Sequence, residues 1–144
     1  MRSRHVRVGG IHCHYLQAGS ATSAASLAAL DTANLSYGFL LPELAQHHSV
    51  IALDWPGYGL SEHPETELSI PDLVSLLAQF LDALGLETVH LAGFSMGGAV
   101  ALGLALGAPE RIRTLTRTGS YGLDSRAPLP LLPYLAMRAP RFTT

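Results

Sequence analysis

The stretch that decides the fold is Gly93-Phe94-Ser95-Met96-Gly97, which fits the pattern G-x-S-x-G. A short β-type run, Thr88-Val89-His90-Leu91-Ala92, precedes it, and a helix-compatible run from about Met96 to Leu106 follows it. A serine nucleophile needs a sharp strand-to-helix turn of this kind, and the flanking glycines remove side chains that would collide across the turn. The pattern therefore predicts that Ser95 is a nucleophile. The amide of Met96, at the start of the helix, would face the oxygen that becomes negative during attack.

The alternatives for this stretch are a glycine-rich helix with an incidental serine, packed against another helix in water or in a membrane, and a phosphate-binding loop. Residues 88–109 carry no acidic or arginine side chain, so they also meet the length test for a membrane-spanning helix that packs through its glycines. Each glycine would cost such a helix about 1 kcal/mol relative to alanine. The phosphate-binding loop is disfavoured, because the segment lacks the lysine of that loop and has no clean dinucleotide fingerprint. The strand, turn and helix remain the favoured interpretation.

The rest of the chain alternates between strand-like and helix-like segments. The clearest helix begins at a capping serine, Ser69, has one apolar face and ends at Gly85. Ser26 to Leu30 fits a buried strand, although its alanines also allow a helix. The other predicted elements are a hairpin (Val6 to Val8, a turn at Gly9-Gly10, Ile11 to Leu16), a helix over Ser36 to Ala45, and strands over Ser49 to Leu53 and Arg113 to Thr118. This order predicts an α/β fold with a mostly parallel twisted sheet flanked by helices.

Two further segments resemble a known family. Asp54-Trp55-Pro56-Gly57-Tyr58-Gly59-Leu60-Ser61 resembles the D-x-P-G-x-G-x-S turn that follows the fourth strand of α/β-hydrolase fold proteins, and residues 93–99 resemble their nucleophile elbow. Ala108-Pro109-Glu110-Arg111-Ile112 is similar to the passage that precedes the sixth strand of the family. The resemblance covers about residues 5–125. We expect Trp55 and Tyr58 in the first of these segments to pack against neighbouring side chains.

The resemblance implies a serine hydrolase that attacks an ester-like carbonyl of a small-molecule substrate and forms an acyl-enzyme at Ser95. It assigns the two oxyanion donors to the backbone amides of Met96 and Ala33. In the family, His-Gly precedes the second donor, whereas Asp31 and Thr32 stand in those places here. A carboxylate near a forming oxyanion is unfavourable, and the loss of one donor typically costs about 10²–10³ in rate.

The acid and the histidine of the catalytic triad are the main departure from the family. In this fold they follow the serine in the sequence. All seven histidines of this chain precede Ser95, and Asp124 is the candidate acid, although an ordinary surface-turn aspartate is the favoured interpretation of that residue. A serine without a base is a weak nucleophile. We therefore expect a truncated or inactive form of a hydrolase, with a non-catalytic binding domain of the same fold as the alternative.

Composition narrows the classes of function further. A chain of 144 residues with 48% hydrophobic content suits one domain with a single core. Nine arginines, no lysine and eleven acidic residues give a net charge of −2, which makes no electrostatic case for nucleic acid or an anionic membrane. The first residues lack the apolar stretch of a secretory signal, so a cytoplasmic location is the prediction.

The residues also predict no cofactor and no metal site. Cys13 is the only cysteine, which excludes an intramolecular disulfide or a thiolate metal cage. His12 and His14 share one face of a strand, and His47 and His48 are adjacent, but no third ligand is indicated. We therefore expect these histidines to be exposed side chains of strands and loops.

The resemblance also divides the chain. Residues 1–125 would form the N-terminal part of the α/β-hydrolase core, and residues 126–144 the beginning of a cap segment. The second part includes an apolar, proline-broken segment from Leu129 to Met137. Its exposure would allow self-association through this segment.

Overall fold

A computed structural model of the chain describes residues 1–19, 26–31 and 39–120, with residues 26–31 described in their backbone. The strands are β1 (Arg2–Val8), β2 (Ile11–Ala18), β3 (Ser26–Asp31), β4 (Ser49–Asp54), β5 (Val89–Phe94) and β6 (Ile112–Thr118). The helices are α1 (Leu41–Leu44), α2 (Ile70–Ala83) and α3 (Met96–Gly107), and a short 3-10 turn spans Pro109–Arg111. The strands form one six-stranded sheet in the order β1-β2-β4-β3-β5-β6.

Four strands of the sheet run parallel, in the order β4-β3-β5-β6, and the antiparallel hairpin of β1 and β2 adds to the edge at β4. Gly9 and Gly10 turn the hairpin with φ angles of 57° and 88°, which glycine adopts without strain. Since parallel strands place their carboxyl ends at one edge of a sheet, the turns after β4 and β5 leave from the same edge. The predicted α/β fold with a mostly parallel sheet flanked by helices is confirmed.

Helix α2 begins at a capping box. The Ser69 hydroxyl oxygen accepts a hydrogen bond from the Asp72 amide at 3.3 Å, and the Asp72 carboxylate accepts one from the Ser69 amide at 2.8 Å. The hydroxyl and the amide of Ser69 hold the pKa of Asp72 below its ordinary value. The apolar face of α2 is buried through Leu73, Leu76, Leu77, Phe80 and Leu81. The helix predicted to begin after Ser69 is confirmed.

Residues 88–109, which carry no charged side chain, are divided between β5, a turn at Ser95 and α3. The 12 residues of α3 span about 18 Å at 1.5 Å per residue, against roughly 30 Å for the hydrocarbon core of a bilayer. Helix α3 packs closely on α2, since a Cβ atom at Gly103 would lie 2.6 Å from Cγ2 of Val74. None of the helices in the described ranges has the length and apolar character needed to cross a membrane.

The structure corrects the bounds of one predicted helix and shows that a second segment, which could have been a strand or a helix, is a strand. The helix expected over Ser36 to Ala45 is observed as the shorter α1, with Pro42 in its first turn. Ser26 to Leu30 forms a strand, because it pairs with β4 on one side and with β5 on the other. Partners on both sides outweigh the helix propensity of its alanines. Residues 36–38, and residues 126–144 with the predicted beginning of a cap, lie outside the described ranges.

Candidate active site

Ser95 occupies the turn between β5 and α3 with a strained backbone. Its φ of 52° and ψ of −118° make it the one non-glycine residue with a positive φ in the described ranges. Such a conformation costs on the order of 1–3 kcal/mol and persists only where the surroundings enforce it. The Ser95 amide donates to the Thr118 carbonyl at 3.1 Å, and the Gly98 amide donates to the Ser95 carbonyl at 3.2 Å. The predicted strand, turn and helix around Ser95 are confirmed.

Glycines let α3 and the end of β6 approach this turn. A Cβ atom at Gly93 would lie 2.5 Å from the carbonyl oxygen of Gly97. A Cβ atom at Gly98 would lie 2.5 Å from the hydroxyl oxygen of Ser120. Both distances are shorter than real carbon contacts, so any side chain at Gly93 would force the first turn of α3 away from β5.

The Ser95 hydroxyl and the Met96 amide are the polar groups that the turn presents. Ser95 is half-buried, its hydroxyl does not cap α3, and the described residues provide no hydrogen-bond partner for it. Met96 is the first residue of α3, so its amide has no acceptor within the helix. This pair of groups, at the positive end of a helix, is suited to attack on a carbonyl group and to stabilisation of the negative charge on its oxygen.

Arg117 of β6 forms hydrogen bonds to both segments that approach the Ser95 turn, and the sequence did not predict this role. It lies opposite Gly93 in the sheet. Its Nε donates to the Gly98 carbonyl at 3.0 Å, and its Nη2 donates to the Ser120 hydroxyl oxygen at 2.8 Å. One guanidinium therefore joins the first turn of α3 to the end of β6. An arginine is an ordinary residue in a strand whose polar and apolar residues alternate, so the sequence does not predict these contacts.

The turn after β4 is fastened to β2 through Asp54. One carboxylate oxygen of Asp54 accepts from His14 Nδ1 at 2.7 Å and from the Leu60 amide at 3.1 Å. The Ser61 hydroxyl donates to the Asp54 carbonyl at 2.6 Å and accepts from the His14 amide at 2.8 Å. His14 is 0% exposed, so the expectation of an exposed histidine at this position is wrong. The carboxylate from the neighbouring strand supplies the partner that a buried imidazole requires.

The aromatic residues of the same turn pack as predicted. Trp55 is buried within the main core, and Tyr58 packs against that core. The indole Nε1 of Trp55 is buried with no hydrogen-bond acceptor among the residues that the structure describes. The turn therefore contributes apolar surface to the core on the side of the sheet that α2 covers.

None of the seven histidines forms a hydrogen bond with Ser95. His90 Nδ1 is bonded to the Thr114 hydroxyl at 2.7 Å, and His90 precedes Ser95 by about 16 Å of strand. The His48 ring lies 6.3 Å from the His90 ring, at the amino end of the parallel strands. The remaining four, His5, His12, His47 and His63, are exposed. Across the described part of the chain, no group of three histidine, cysteine, aspartate or glutamate residues is placed to hold a metal ion.

The structure brings together two of the four predicted site residues, Ser95 and Met96. The other two, Ala33 and Asp124, lie outside the described residues. Asp31, the last residue of β3, pairs with Asp54 at the carboxyl edge of the sheet, which is the edge of the Ser95 turn. The roles of the Ala33 amide as oxyanion donor and of Asp124 as acid stay predictions.

The chain is similar to hydrolases over much of its length. A family model described as alpha/beta hydrolase fold matches residues 27–142. A 2-hydroxy-6-oxo-2,4-heptadienoate hydrolase of Pseudomonas putida is 38% identical over 94 residues, which are 65% of this chain and 34% of that protein. This chain therefore matches about a third of the length of that relative.

Solved structures show the same similarity in three dimensions. A 2-hydroxy-6-oxo-6-phenylhexa-2,4-dienoate hydrolase from Rhodococcus superposes with a TM-score of 0.79 at 32% identity, covering 93% of this chain and 51% of that one. A membrane phospholipase A, a bacterial virulence factor, superposes with a TM-score of 0.79 at 27% identity, covering 92% of this chain and 44% of that one. In both cases the match spans about half of the longer chain.

Proposed function

Because the chain belongs to the α/β-hydrolase fold family, we propose that it is the nucleophile-bearing part of a serine hydrolase in which Ser95 attacks a carbonyl carbon. The observation that carries this proposal is the φ of 52° at Ser95, on a strand-to-helix turn, with a hydroxyl that caps nothing. A purely structural serine gains nothing from a strained backbone. A nucleophile does, because the sharp turn presents its hydroxyl above the end of the sheet.

In the proposed reaction, Ser95 Oγ bonds to the carbonyl carbon and the Met96 amide donates to the oxygen that becomes negative. Loss of the leaving group then leaves an acyl group on Ser95, and water removes it. The Ala33 amide is the proposed second donor to the same oxygen. One such donor typically contributes about 10²–10³ in rate.

The reaction also needs a proton acceptor beside Ser95. All seven histidines of the chain lie in described ranges, and none bonds to Ser95. We infer that an imidazole from outside these 144 residues acts as the base, with Asp124 as the candidate acid that orients it. The 144-residue chain alone would then turn over slowly, since a serine hydroxyl without a base is a weak nucleophile.

Phe94 narrows the proposed substrate class. Its side chain is 41% exposed although it is a large apolar group, and it directly precedes Ser95. An exposed ring beside the nucleophile favours a substrate with an apolar group next to the reacting carbonyl. The names of the similar hydrolases give dienoates and phospholipids as their substrates. The proposal is therefore limited to a small ester-like carbonyl compound with an apolar portion.

A binding domain without catalysis is the second candidate function. The observation that favours it is the lack of a hydrogen bond between Ser95 and any of the described histidines. In that case the strained turn would remain as an inherited feature of the fold, and Ser95 would have no more reactivity than an ordinary serine.

Fluorophosphonate labelling in the presence and absence of free imidazole separates the two candidates. A fluorophosphonate reacts with nucleophilic serines, and imidazole supplies the missing proton acceptor. We expect labelling of Ser95, mapped by peptide mass spectrometry, to rise steeply with imidazole, and to vanish in Ser95→Ala. The matched control is Ser75→Ala, because Ser75 is an exposed helical serine. A folded chain whose Ser95 reacts no faster than Ser75, with imidazole present, contradicts the hydrolase proposal.

A further inference from the structure

Ser3, which lies four strands away from Ser95 in the sheet, is hydrogen-bonded to an imidazole. Ser3 Oγ lies 2.8 Å from His14 Nε2, and His14 Nδ1 lies 2.7 Å from a carboxylate oxygen of Asp54. Ser3 is on β1 and His14 on β2, at the edge of the sheet opposite to β6. The order of contacts is hydroxyl, imidazole, carboxylate, which is the order that activates a serine in a hydrolytic triad.

The hydrogen-bond partners fix the tautomer of His14. A carboxylate only accepts hydrogen bonds, so Nδ1 carries a proton and donates it to Asp54. In the neutral imidazole, Nε2 then has a free lone pair and accepts the hydroxyl proton of Ser3. Ser3 is therefore hydrogen-bonded to the basic nitrogen of its imidazole.

Burial and the surrounding contacts hold this imidazole in place. His14 is 0% exposed and Asp54 is 1% exposed, whereas Ser3 is exposed to solvent. The His14 backbone amide is fixed by the Ser61 hydroxyl at 2.8 Å, and the Asp54 carboxylate by the Leu60 amide at 3.1 Å. The base is thus preorganised inside the protein, and the hydroxyl that it serves is open to reagents. A nucleophile bonded to a base, which a third group orients, is the general arrangement for nucleophilic catalysis.

We propose that Ser3 is a second reactive serine, activated by His14 and Asp54, that accepts acyl or phosphonyl groups from activated electrophiles such as aryl esters, thioesters and fluorophosphonates. Ser3 Oγ forms the bond to the carbonyl carbon or phosphorus atom as its proton moves to His14 Nε2. The bond to the leaving group breaks, and His14 passes the proton to that group. The carboxylate of Asp54 stabilises the imidazolium that forms in between. The reaction modifies the protein once per molecule and needs no redox partner.

The expected rate follows from the general base. Proton transfer to a positioned base contributes typically about 10²–10⁴-fold. Ser3 should therefore react at least about 10²-fold faster than an exposed serine without an imidazole. If Ser3 and Asp54 only satisfy the polar atoms of a buried histidine, Ser3 reacts like any other exposed serine.

Two exposed serines of the same chain serve as internal references. The Ser69 hydroxyl donates to the Asp72 carboxylate at 2.5 Å, so it has a carboxylate partner but no imidazole. The Ser75 hydroxyl oxygen accepts from Gln79 at 3.2 Å and has neither kind of base there. Ser69 caps α2 and Ser75 lies within it. Ser69 tests whether a carboxylate alone explains any enhancement.

The experiment labels the whole 144-residue chain with a fluorophosphonate, without imidazole, and measures the initial rate at each serine by peptide mass spectrometry. The expected result is labelling of Ser3 at least about 10²-fold faster than of Ser69 and Ser75, with Ser3→Ala abolishing that signal. Labelling of Ser3 at the rate of Ser75 overturns the proposal. Because the comparison lies within one folded protein, it needs no variant of a buried residue.

Three further measurements test the role of the carboxylate and separate this proposal from that for Ser95. In Asp54→Asn, with folding checked by circular dichroism, Ser3 labelling should fall towards the Ser75 rate. Unchanged labelling in that folded variant contradicts the role of the carboxylate. In Ser95→Ala the Ser3 rate should be unchanged, and free imidazole should accelerate Ser95 far more than Ser3. Either proposal can therefore fail while the other holds.

Discussion

His14 and Asp54 form a 2.7 Å hydrogen bond between two side chains that are 0% and 1% exposed. The bond joins β2 to the end of β4, where the turn towards Ser61 begins. It therefore links the antiparallel hairpin to the first of the four parallel strands, and the Ser95 turn follows β5, which is two strands away from β4 in the sheet.

Replacement of His14 by alanine should destabilise the protein strongly. The change removes a donor from a buried carboxylate and leaves a cavity between β2 and the turn after β4. Leaving a buried acceptor without its donor typically costs about 1–3 kcal/mol, and more when the acceptor is charged. Urea unfolding followed by circular dichroism measures the loss. His63→Ala is the control, since His63 is exposed and should change stability by no more than about 0.5 kcal/mol. Equal effects of the two substitutions would contradict this description of the network.

Gly93→Ala should displace the Ser95 turn. The added methyl group would lie 2.5 Å from the Gly97 carbonyl oxygen, so α3 must shift. Overpacking of this kind costs about 1–3 kcal/mol, and imidazole-dependent labelling of Ser95 should fall with it. Gly107→Ala is the matched control, because a Cβ atom there meets nothing within 4 Å. The control should keep its labelling and be as stable as the parent or more so. A Gly93→Ala variant that labels normally would show that the close approach is not needed.

Ser69→Ala should weaken α2 in a pH-dependent manner. Loss of a serine cap costs about 1 kcal/mol. The pKa of Asp72 is lowered from 3.8 by the hydroxyl and amide of Ser69, so the hydrogen bond from the hydroxyl to the carboxylate stabilises the helix above that value and is lost as the carboxylate is protonated. The difference in unfolding free energy between the parent and Ser69→Ala should therefore shrink as the pH falls below 3.8. A difference that stays constant with pH would contradict the hydrogen bond from the hydroxyl to Asp72.

Cys13 should resist thiol reagents while the protein is folded. Its side chain is buried, and burial, with the nearby charge of Glu62 as a smaller cause, raises the pKa of the thiol from 9.0 to about 11. The thiolate is the reactive form, so near neutral pH both access and ionisation are unfavourable. Iodoacetamide should modify Cys13 only in denaturant, and the rate should follow unfolding. Rapid modification of the native protein would contradict the packing of β2.

The Ser95 turn was predictable because its constraint is local. Gly93 and Gly97 lie within two positions of the serine, so five consecutive residues are enough to predict the turn. The capped helix after Ser69 was predictable for the same reason, since the cap and its partner are three residues apart. Elements of this kind are encoded within one turn of chain.

The contacts of His14 and Arg117 were not predictable, because their partners are distant in sequence. His14 meets Asp54 across 40 positions, and Arg117 meets the Gly98 carbonyl across 19. These groups meet only through the pairing of the strands and the packing of α3 on the sheet. The exposed histidine expected at position 14 was wrong because strand periodicity reports one face of a strand without showing what packs on that face.

Acylation of Ser95 is the most direct test of the central claim. The chain is incubated with p-nitrophenyl acetate and free imidazole, quenched in acid, digested and analysed by mass spectrometry for acetyl groups on individual serines. We predict acetyl-Ser95 at a level that depends on imidazole and far exceeds that of acetyl-Ser75, with none in Ser95→Ala. A folded protein that gains no acetyl group at Ser95 above the Ser75 level would contradict the assignment of Ser95 as a nucleophile.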